Sequence, residues 1–398
     1  MFIKKITDQL NKVEAILIRL FYRVFIKFFE KQIINKLTHY HYSKYKMKNN
    51  NKNINIIYVC PAEKKPSGGV RIIYRHSEII NNLNKNYSSE VLHLGKKKIS
   101  KYINSLGKFF KSDYNKYSGW NFDEIEAKKN FRYKWIRNNI KIKNNLKFVE
   151  KNDFIILPEI MAHLAEEICI KKKINYALFV QNGYALQATN NYKKLDLVYK
   201  KAKFIISYSE NITNCLKTCF PFCANKILKI SYSIDYKKFN TLTKKKNIIT
   251  YMPRKLPEHF DQLYFFLRKR LPKNWLIKKI HNITEEKVYK ELLISKIFLA
   301  FSKMEGLPLP PVEAAIAGNK VIGYTGEGGK EYWQKPIFTE INNGNILKFT
   351  NEILKYTRIK KINKNFSKLK NKIIKKFSPA TEFKNIIFML KKISSMYY

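Results

Sequence analysis

From Ile54 onward the hydrophobic residues alternate between short unbroken blocks and longer segments in which they recur every three or four positions. Blocks at Ile54 to Cys60, Val91 to Leu94, Phe154 to Leu157, Tyr176 to Val180, Phe204 to Ser207 and Ile227 to Ile230 read as strands buried on both faces. The intervening segments mostly read as helices, as with Val70, Ile72, Ile73, Ile79, Ile80 and Leu83. After a polar break at Thr241 to Asn247 a second series begins. Its expected strands are Ile248 to Tyr251, Trp275 to Ile280, Ile297 to Phe301 and Lys320 to Tyr324. The helices between them are Glu258 to Leu271, Glu285 to Leu293 and Pro311 to Ala317, and Pro379 to Ile393 reads as a closing helix.

Strand and helix in alternation imply mainly parallel sheets, so the expected class is α/β with two Rossmann-like domains facing across a cleft. The boundaries are residues 51–240 for the first domain, 241–378 for the second and 379–398 for the terminal helix, preceded by an extension over residues 1–50. Lys96 to Lys151 is basic and aromatic with weak periodicity, and is expected to be an insertion that shapes an acceptor site.

Charge adds one feature. The 398 residues carry a formal +48, but Lys, Asn, Ile, Tyr and Phe are abundant everywhere, so the excess reflects general residue usage more than one basic patch, and no specific nucleic-acid partner is expected. Locally, Arg19, Arg23, Lys27 and Lys31 recur every four residues beside Leu17, Leu20, Phe21, Val24, Phe25 and Phe28. Such a helix suits an anionic membrane surface through residues 1–35, or equally a packing surface on the protein or a second subunit. Its charges exclude a spanning helix, and no secretory signal is evident, which gives a cytoplasmic expectation, peripheral on the inner face of the membrane if the helix docks there. Five cysteines without a framework spacing fit a reducing compartment, and Cys215, Cys219 and Cys223 read as small buried residues rather than metal ligands.

The stretch most informative about chemistry is Ser302 to Trp333. Glu305 and Glu313 are separated by seven residues, with a strand before the first and a helix starting between them. Pro310 and Pro311 suit that helix's first turn and Gly318 its end. A loop and helix start at the carboxyl edge of a parallel sheet favour phosphate through Gly306, Leu307 and Leu309, while carboxylates beside it accept hydrogen bonds from sugar hydroxyls. Pro308 supplies no N–H to such a loop.

This stretch resembles the E-x7-E signature of GT-B glycosyltransferases of family 4 (group 1), where EGxGLPxxEAxAxG is typical. Gly68, Gly69 and Val70 resemble that family's N-terminal glycine loop, Ser231 to Phe239 its interdomain segment, and Arg254 with Lys255 its diphosphate-binding cations, although the family commonly spaces those two apart. The resemblance covers about residues 54–395 and implies transfer of a sugar from a nucleotide-sugar donor to a glycan or glycolipid acceptor, with retention. It implies that Glu313 holds the ribose, Glu305 the donor sugar, and Arg254 and Lys255 the diphosphate, while Gly68 and Gly69 let the backbone approach. Thr325, Gly326, Gly328 and Gly329 are expected to line the same cleft. No cofactor or metal is expected, since neither an Asp-x-Asp motif nor a His cluster is present. His76 and Glu159 are the weak candidates for a protein base. Two further readings stay open, a nucleotide-sugar epimerase on the same architecture and a non-catalytic polyanion or membrane-binding protein.

Overall fold

The computed structural model describes residues 54–62, 67–83, 86–96, 125–127, 131, 133, 140–143, 149–187, 192–239, 243–359 and 365–397. The basic helix expected within residues 1–50 and most of the insertion at 96–151 lie outside them. Residues Asn53–Asn82 and Tyr87–Tyr398 form one compact unit that holds two sheets.

The first sheet is built from β1 (Ile54–Pro61), β2 (Tyr87–Lys96), β3 (Ile125–Ala127), β4 (Lys141–Lys143), β5 (Phe154–Pro158), β6 (Asn175–Val180), β7 (Ile205–Ser207) and β8 (Ile227–Lys229), with helices α1 (Gly68–Leu83), α2 (Tyr192–Lys201) and α3 (Glu210–Cys219). Its order is β3-β2-β1-β5-β6-β7-β8, and β4 also pairs with β2. All pairs are parallel except β2 with β3. The unbroken apolar blocks follow from this: Ile56, Ile57, Tyr58 and Val59 are wholly buried because helices cover both faces. The insertion contributes β3 and β4 to the outer side of β2, so part of it extends the sheet.

The second sheet contains β9 (Lys246–Tyr251), β10 (Leu276–Lys279), β11 (Ser295–Glu305), β12 (Lys320–Glu327) and β13 (Phe338–Glu340), and its helices are α4 (Pro257–Leu267), α5 (Glu285–Ile294), α6 (Pro310–Ile316) and α7 (Ile346–Thr357). The order is β10-β9-β11-β12-β13, parallel throughout. Alternate residues Ile249 and Tyr251, Ile297, Leu299 and Phe301, and Ile322 and Tyr324 point to one face. There they pack with Phe260, Leu263 and Leu267 of α4 and with Phe349, Ile353 and Leu354 of α7. The sheet is longer than expected at its carboxyl edge, since β11 continues to Glu305 and β12 to Glu327. β13, α7 and a further helix, α8 (Asn365–Lys376), were not anticipated.

The chain then returns. Helix α9 (Pro379–Ser394) starts beside the second sheet's last helix but bonds to the first sheet's elements. Glu382, fully buried, accepts from Arg75 Nε of α1 at 2.6 Å and from Ser233 Oγ at 2.6 Å, and Tyr397 OH donates to the Asp153 carbonyl at 2.9 Å. Asn385 Oδ1 accepts from the Ser231 N–H at 2.9 Å, so α9 is stitched to the crossing segment Ser231 to Phe239 as well. Burial pushes the Glu382 carboxyl up, and Arg75 and Ser233 oppose that shift. Among the described residues no helix is long and apolar enough to cross a membrane.

Removing one partner of such a buried cluster leaves the others short of hydrogen bonds. Glu382→Ala is expected to cost about 2–4 kcal/mol, below the top of the usual range because Arg75 retains some access to water. A urea midpoint unchanged from wild type would show that α9 is not fastened by this cluster.

Candidate active site

In an open parallel sheet, ligands bind outside the carboxyl ends of two adjacent strands whose connections depart in opposite directions. In the second sheet those strands are β9 and β11, because β10 lies on one side of β9 and the chain returns to the other. Lys255 follows β9 and Glu305 ends β11, and their side chains meet with Nζ 2.5 Å from Oε1. Burial lowers the Lys255 pKa, Glu305 opposes that, and the neighbouring Arg254 adds to it. Arg254 itself is exposed, so of two adjacent cations only Lys255 enters the site.

Backbone strain gathers at the same edge. Leu256 after β9, Met304 before Glu305 and Glu327 at the end of β12 have φ of 49°, 39° and 67°. Non-glycine residues occupy that region at a cost of about 1–3 kcal/mol and collect at functional sites.

Glu313 is set by α6. The helix opens on Pro310 and Pro311 and ends in a Schellman motif: Gly318 has φ +87°, its N–H donates to the Ala315 carbonyl at 3.0 Å, and the Asn319 N–H donates to Ala314 at 2.9 Å. Asn319, fully buried, also donates its side-chain amide to Leu292 and Ala314 carbonyls at 2.8 and 3.0 Å, tying α6 to α5. The Glu313 carboxylate is half-buried and has no hydrogen-bond partner among the described residues. Burial raises its pKa to about 7, Arg71 and Lys238 pull it down, and Glu285 pushes it up.

Arg71 comes from the first turn of α1, in the other half of the unit, and its Nη1 lies 3.1 Å from Glu285 Oε1. Lys238 Nζ approaches the same oxygen at 3.5 Å, and Tyr289 OH donates to it. Sequence reading missed Arg71 and Glu285, which are 214 positions apart. One local sign existed: a cation in a helix's first turn opposes the macrodipole, so Arg71 needs a carboxylate or anion nearby.

The first sheet's switch point lies between β1 and β5, and the glycine pair sits there. The two glycines begin α1 rather than preceding it. At Gly69 a Cβ would stand 1.8 Å from Gln181 Oε1, whose amide Nε2 donates to the Gly69 carbonyl at 3.2 Å. At Gly68 a Cβ would meet nothing within 4 Å, so no neighbour in the fold requires that residue to lack a side chain.

Gly306 changes role. It is buried, and a Cβ there would meet the Gln181 carbonyl at 2.6 Å and the Ile212 side chain at 2.7 Å. Its own carbonyl accepts from Ser209 Oγ at 2.6 Å, and Asn182 Nδ2 donates to the Met304 carbonyl at 3.3 Å. Gly306 is therefore a packing glycine between the two halves, with its Cα face closed to phosphate. Gly328 packs against it from behind, since a Cβ there would lie 2.0 Å from the Gly306 carbonyl. The expected phosphate cradle at the start of α6 is also thinner than its position suggests. Pro308, Pro310 and Pro311 have no N–H and the Glu313 N–H bonds to the Leu309 carbonyl, which leaves Leu307, Leu309 and Val312 as donors around the turn.

Neither candidate base is placed to act as one. His76 is wholly buried beside Tyr58, Phe179 and Glu382, and burial pushes its pKa down to about 3, so the ring is neutral. Glu159 accepts the N–H groups of Gln181 and Asn182 at 3.1 and 3.0 Å, and so holds the loop whose Asn182 bonds to Met304 and whose Gln181 backbone lies against Gly306. Burial raises its pKa to about 7. Of the three cysteines at intervals of four, Cys223 is buried, Cys215 half-buried and Cys219 exposed, which corrects the expectation that all three are interior. A pocket of about 550 Å³ lies at the opposite edge of the first sheet, and two of its three carboxylates are engaged: Glu90 and Asp153 are both bonded to Asn55 and paired with Lys143.

No protein-family model matches the chain, and no curated protein matches it in sequence. Solved structures do. A glycosyltransferase from Rickettsia africae is similar at 16% identity and a TM-score of 0.56, over 87% of this chain and 99% of that one. A TarM mutant of S. aureus in complex with fondaparinux, alpha-GlcNAc-glycerol and UDP gives 13% and 0.55, over 85% and 99%. Anabaena HepE in complex with UDP-glucose gives 9% and 0.55, over 86% and 99%. At these identities the likeness shows the fold, which is GT-B.

Two outcomes follow from this geometry. The folded state holds the Glu313 proton up to about pH 7 whereas the unfolded chain releases it near 4.5, so the group's contribution to stability is present at pH 4 and falls as pH rises through 7. Glu313→Gln should therefore stabilise the ligand-free protein at pH 8 by roughly 1–3 kcal/mol and leave it unchanged at pH 4. A thermal melt showing equal gains at both pH values would contradict the burial argument. Among the glycines, Gly306→Ala should cost about 1–3 kcal/mol by overpacking, while Gly68→Ala should raise stability by about 0.4–1 kcal/mol. The same melts decide between them.

Proposed function

We propose that the chain is a nucleotide-sugar-dependent glycosyltransferase of the E-x7-E type, transferring a hexose to a hydroxyl of a glycan or glycolipid. The observation that carries this reading is Glu313: a half-buried carboxylate, without a hydrogen-bond donor among the described residues, among charges contributed by both halves of the unit. A partly desolvated carboxylate with a raised pKa and no partner in the fold is suited to donors that arrive with a ligand. Ribose hydroxyls are neutral donors that satisfy it without adding charge.

Glu305 then takes hydroxyls of the transferred sugar, and Lys255, brought to the switch point by β9, turns from Glu305 towards the diphosphate. Arg254 and the free N–H groups of Leu307 and Leu309 join it. Cleavage of the anomeric C–O bond places positive charge on the ring and negative charge on the leaving phosphate. Preorganised cations lower the barrier most where that negative charge accumulates. With His76 neutral and enclosed and Glu159 committed to two N–H groups, the acceptor hydroxyl's proton passes to the departing phosphate oxygen, consistent with retention. Gly68 leaves room at the first sheet's switch point for the sugar or acceptor. UDP is present in the TarM structure and UDP-glucose in one HepE structure, so uridine diphosphate sugars are the first donors to test. A cytoplasmic setting, where such donors are consumed, fits five free cysteines.

Calorimetry with a panel of nucleotide sugars is expected to find one that binds, with affinity rising between pH 6 and 8 as Glu313 ionises. Glu313→Gln should reduce that affinity about tenfold or more and flatten the pH dependence. Lys255→Ala should lower kcat more than donor affinity. Wild-type affinity in Glu313→Gln would remove the ribose assignment, and sugar interconversion without any acceptor would replace transfer by epimerisation.

A further inference from the structure

The second sheet carries a surface that the proposed reaction does not use. On α4 the buried residues Phe260, Leu263 and Leu267 recur at the helical period and face the core. Phe265, two positions from both Leu263 and Leu267, points the opposite way and is 61% exposed. Its neighbours Tyr264 and Phe266 are 51% and 45% exposed, so three consecutive aromatic side chains stand in water at the end of one helix. Isolated exposed apolar residues need no explanation, whereas a contiguous aromatic run marks an interaction surface.

Downstream of this run the charge has one sign. From Tyr264 to Ile280 the chain carries Arg268, Lys269, Arg270, Lys273, Lys278 and Lys279 and no carboxylate. Lys278 is paired with Glu291, but Arg268, Lys269, Arg270, Lys273 and Lys279 form no ion pair among the described residues. The Arg268 guanidinium lies over the Phe265 ring at 3.3 Å. The carboxylates of the helix precede the run, Glu258 two turns and Asp261 one turn before Phe265. Because β9 runs towards the catalytic edge and α4 runs back, the aromatic end lies at the far edge of the sheet from Lys255 and Glu305.

We propose that Tyr264, Phe265 and Phe266, with Arg268, Lys269, Arg270 and Lys273, form a docking surface for an anionic lipid bilayer. Aromatic rings enter the headgroup region and unpaired cations beside them meet lipid phosphates, which is the complementarity this surface offers. A second copy of the chain would place like charges against each other and is disfavoured for that reason. A polynucleotide meets the same cations, but it would leave a helix end that splays three rings in different directions without a flat stacking platform.

The test uses the full chain and vesicles of phosphatidylcholine, alone or with phosphatidylglycerol. Sedimentation should show binding to the anionic vesicles and little to the neutral ones. A variant with Phe265→Ser and Phe266→Ser, and another with Arg268→Glu and Arg270→Glu, should each reduce the anionic partition at least tenfold with unchanged thermal melts. The emission that Phe265→Trp adds over the wild-type chain with its four tryptophans should shift to the blue on anionic vesicles, a signal that a purely electrostatic contact or binding by residues 1–35 alone would not produce. Unchanged partition in both variants overturns the proposal. So does a loss of self-association, or of RNA binding, that occurs without any loss of vesicle binding.

Discussion

The contact between Lys255 and Glu305 depends on strand order. A residue that follows β9 and one that ends β11 become neighbours only because those strands lie side by side and point the same way. Parallel pairing forces every carboxyl end to one edge, and the reversal of winding opens that edge between these two strands. A cation and a carboxylate fixed there are partly desolvated, and each would be costly without the other. The rest of the site is arranged around that edge: Met304 in a left-handed conformation turns the chain into the loop, Gly306 lets the loop lie against Gln181, and α6 carries Glu313 away from it.

The two halves touch through polar groups and through Gly306, which is closed against Ile212. Ser209 bonds to Gly306, Asn182 to Met304, Arg71 to Glu285, and the Glu331 carboxylate accepts the Glu210 N–H at the start of α3 at 2.8 Å. Exposed pairs such as Arg71 with Glu285 are worth little individually. An interface held this way can separate and re-form at modest cost, unlike one built from buried rings. Helix α9 is different: Glu382 is inaccessible and bonds to both α1 and the crossing segment, so it fastens the end of the chain to the first sheet's half.

Strands buried on both faces were legible in the sequence because their whole length is apolar, as in Ile56 to Val59 or Ile297 to Phe301. Glu305 and Glu313 were legible because prolines open and a glycine closes the short helix that starts between them. What escaped had little local signal. β13 has three residues, and α7 begins in an Asn-rich turn whose capping by Asn345 is visible only with the backbone in hand. β3 and β4 are short pieces of a basic insertion and acquire strand character from β2. Gly306 reads the same in sequence whether it opens towards phosphate or against Gln181, because a missing side chain does not say what fills its place.

That ambiguity matters most at the helix start beside Glu313. A helix N-terminus attracts anions through free N–H groups, yet three prolines in four positions remove half of those between residues 307 and 312 here. What is left is a dipole with few donors, which orients an anion weakly, so neutralising a diphosphate falls to side chains. Lys255 is half-buried and already aligned by Glu305, whereas Arg254 must be recruited from solvent. A site built this way gains affinity from hydroxyl contacts at Glu313 and Glu305 and reserves its cations for charge that appears late. Binding energy placed on groups that do not react and electrostatics placed on those that do is the division that accelerates transfer rather than tightening the ground state.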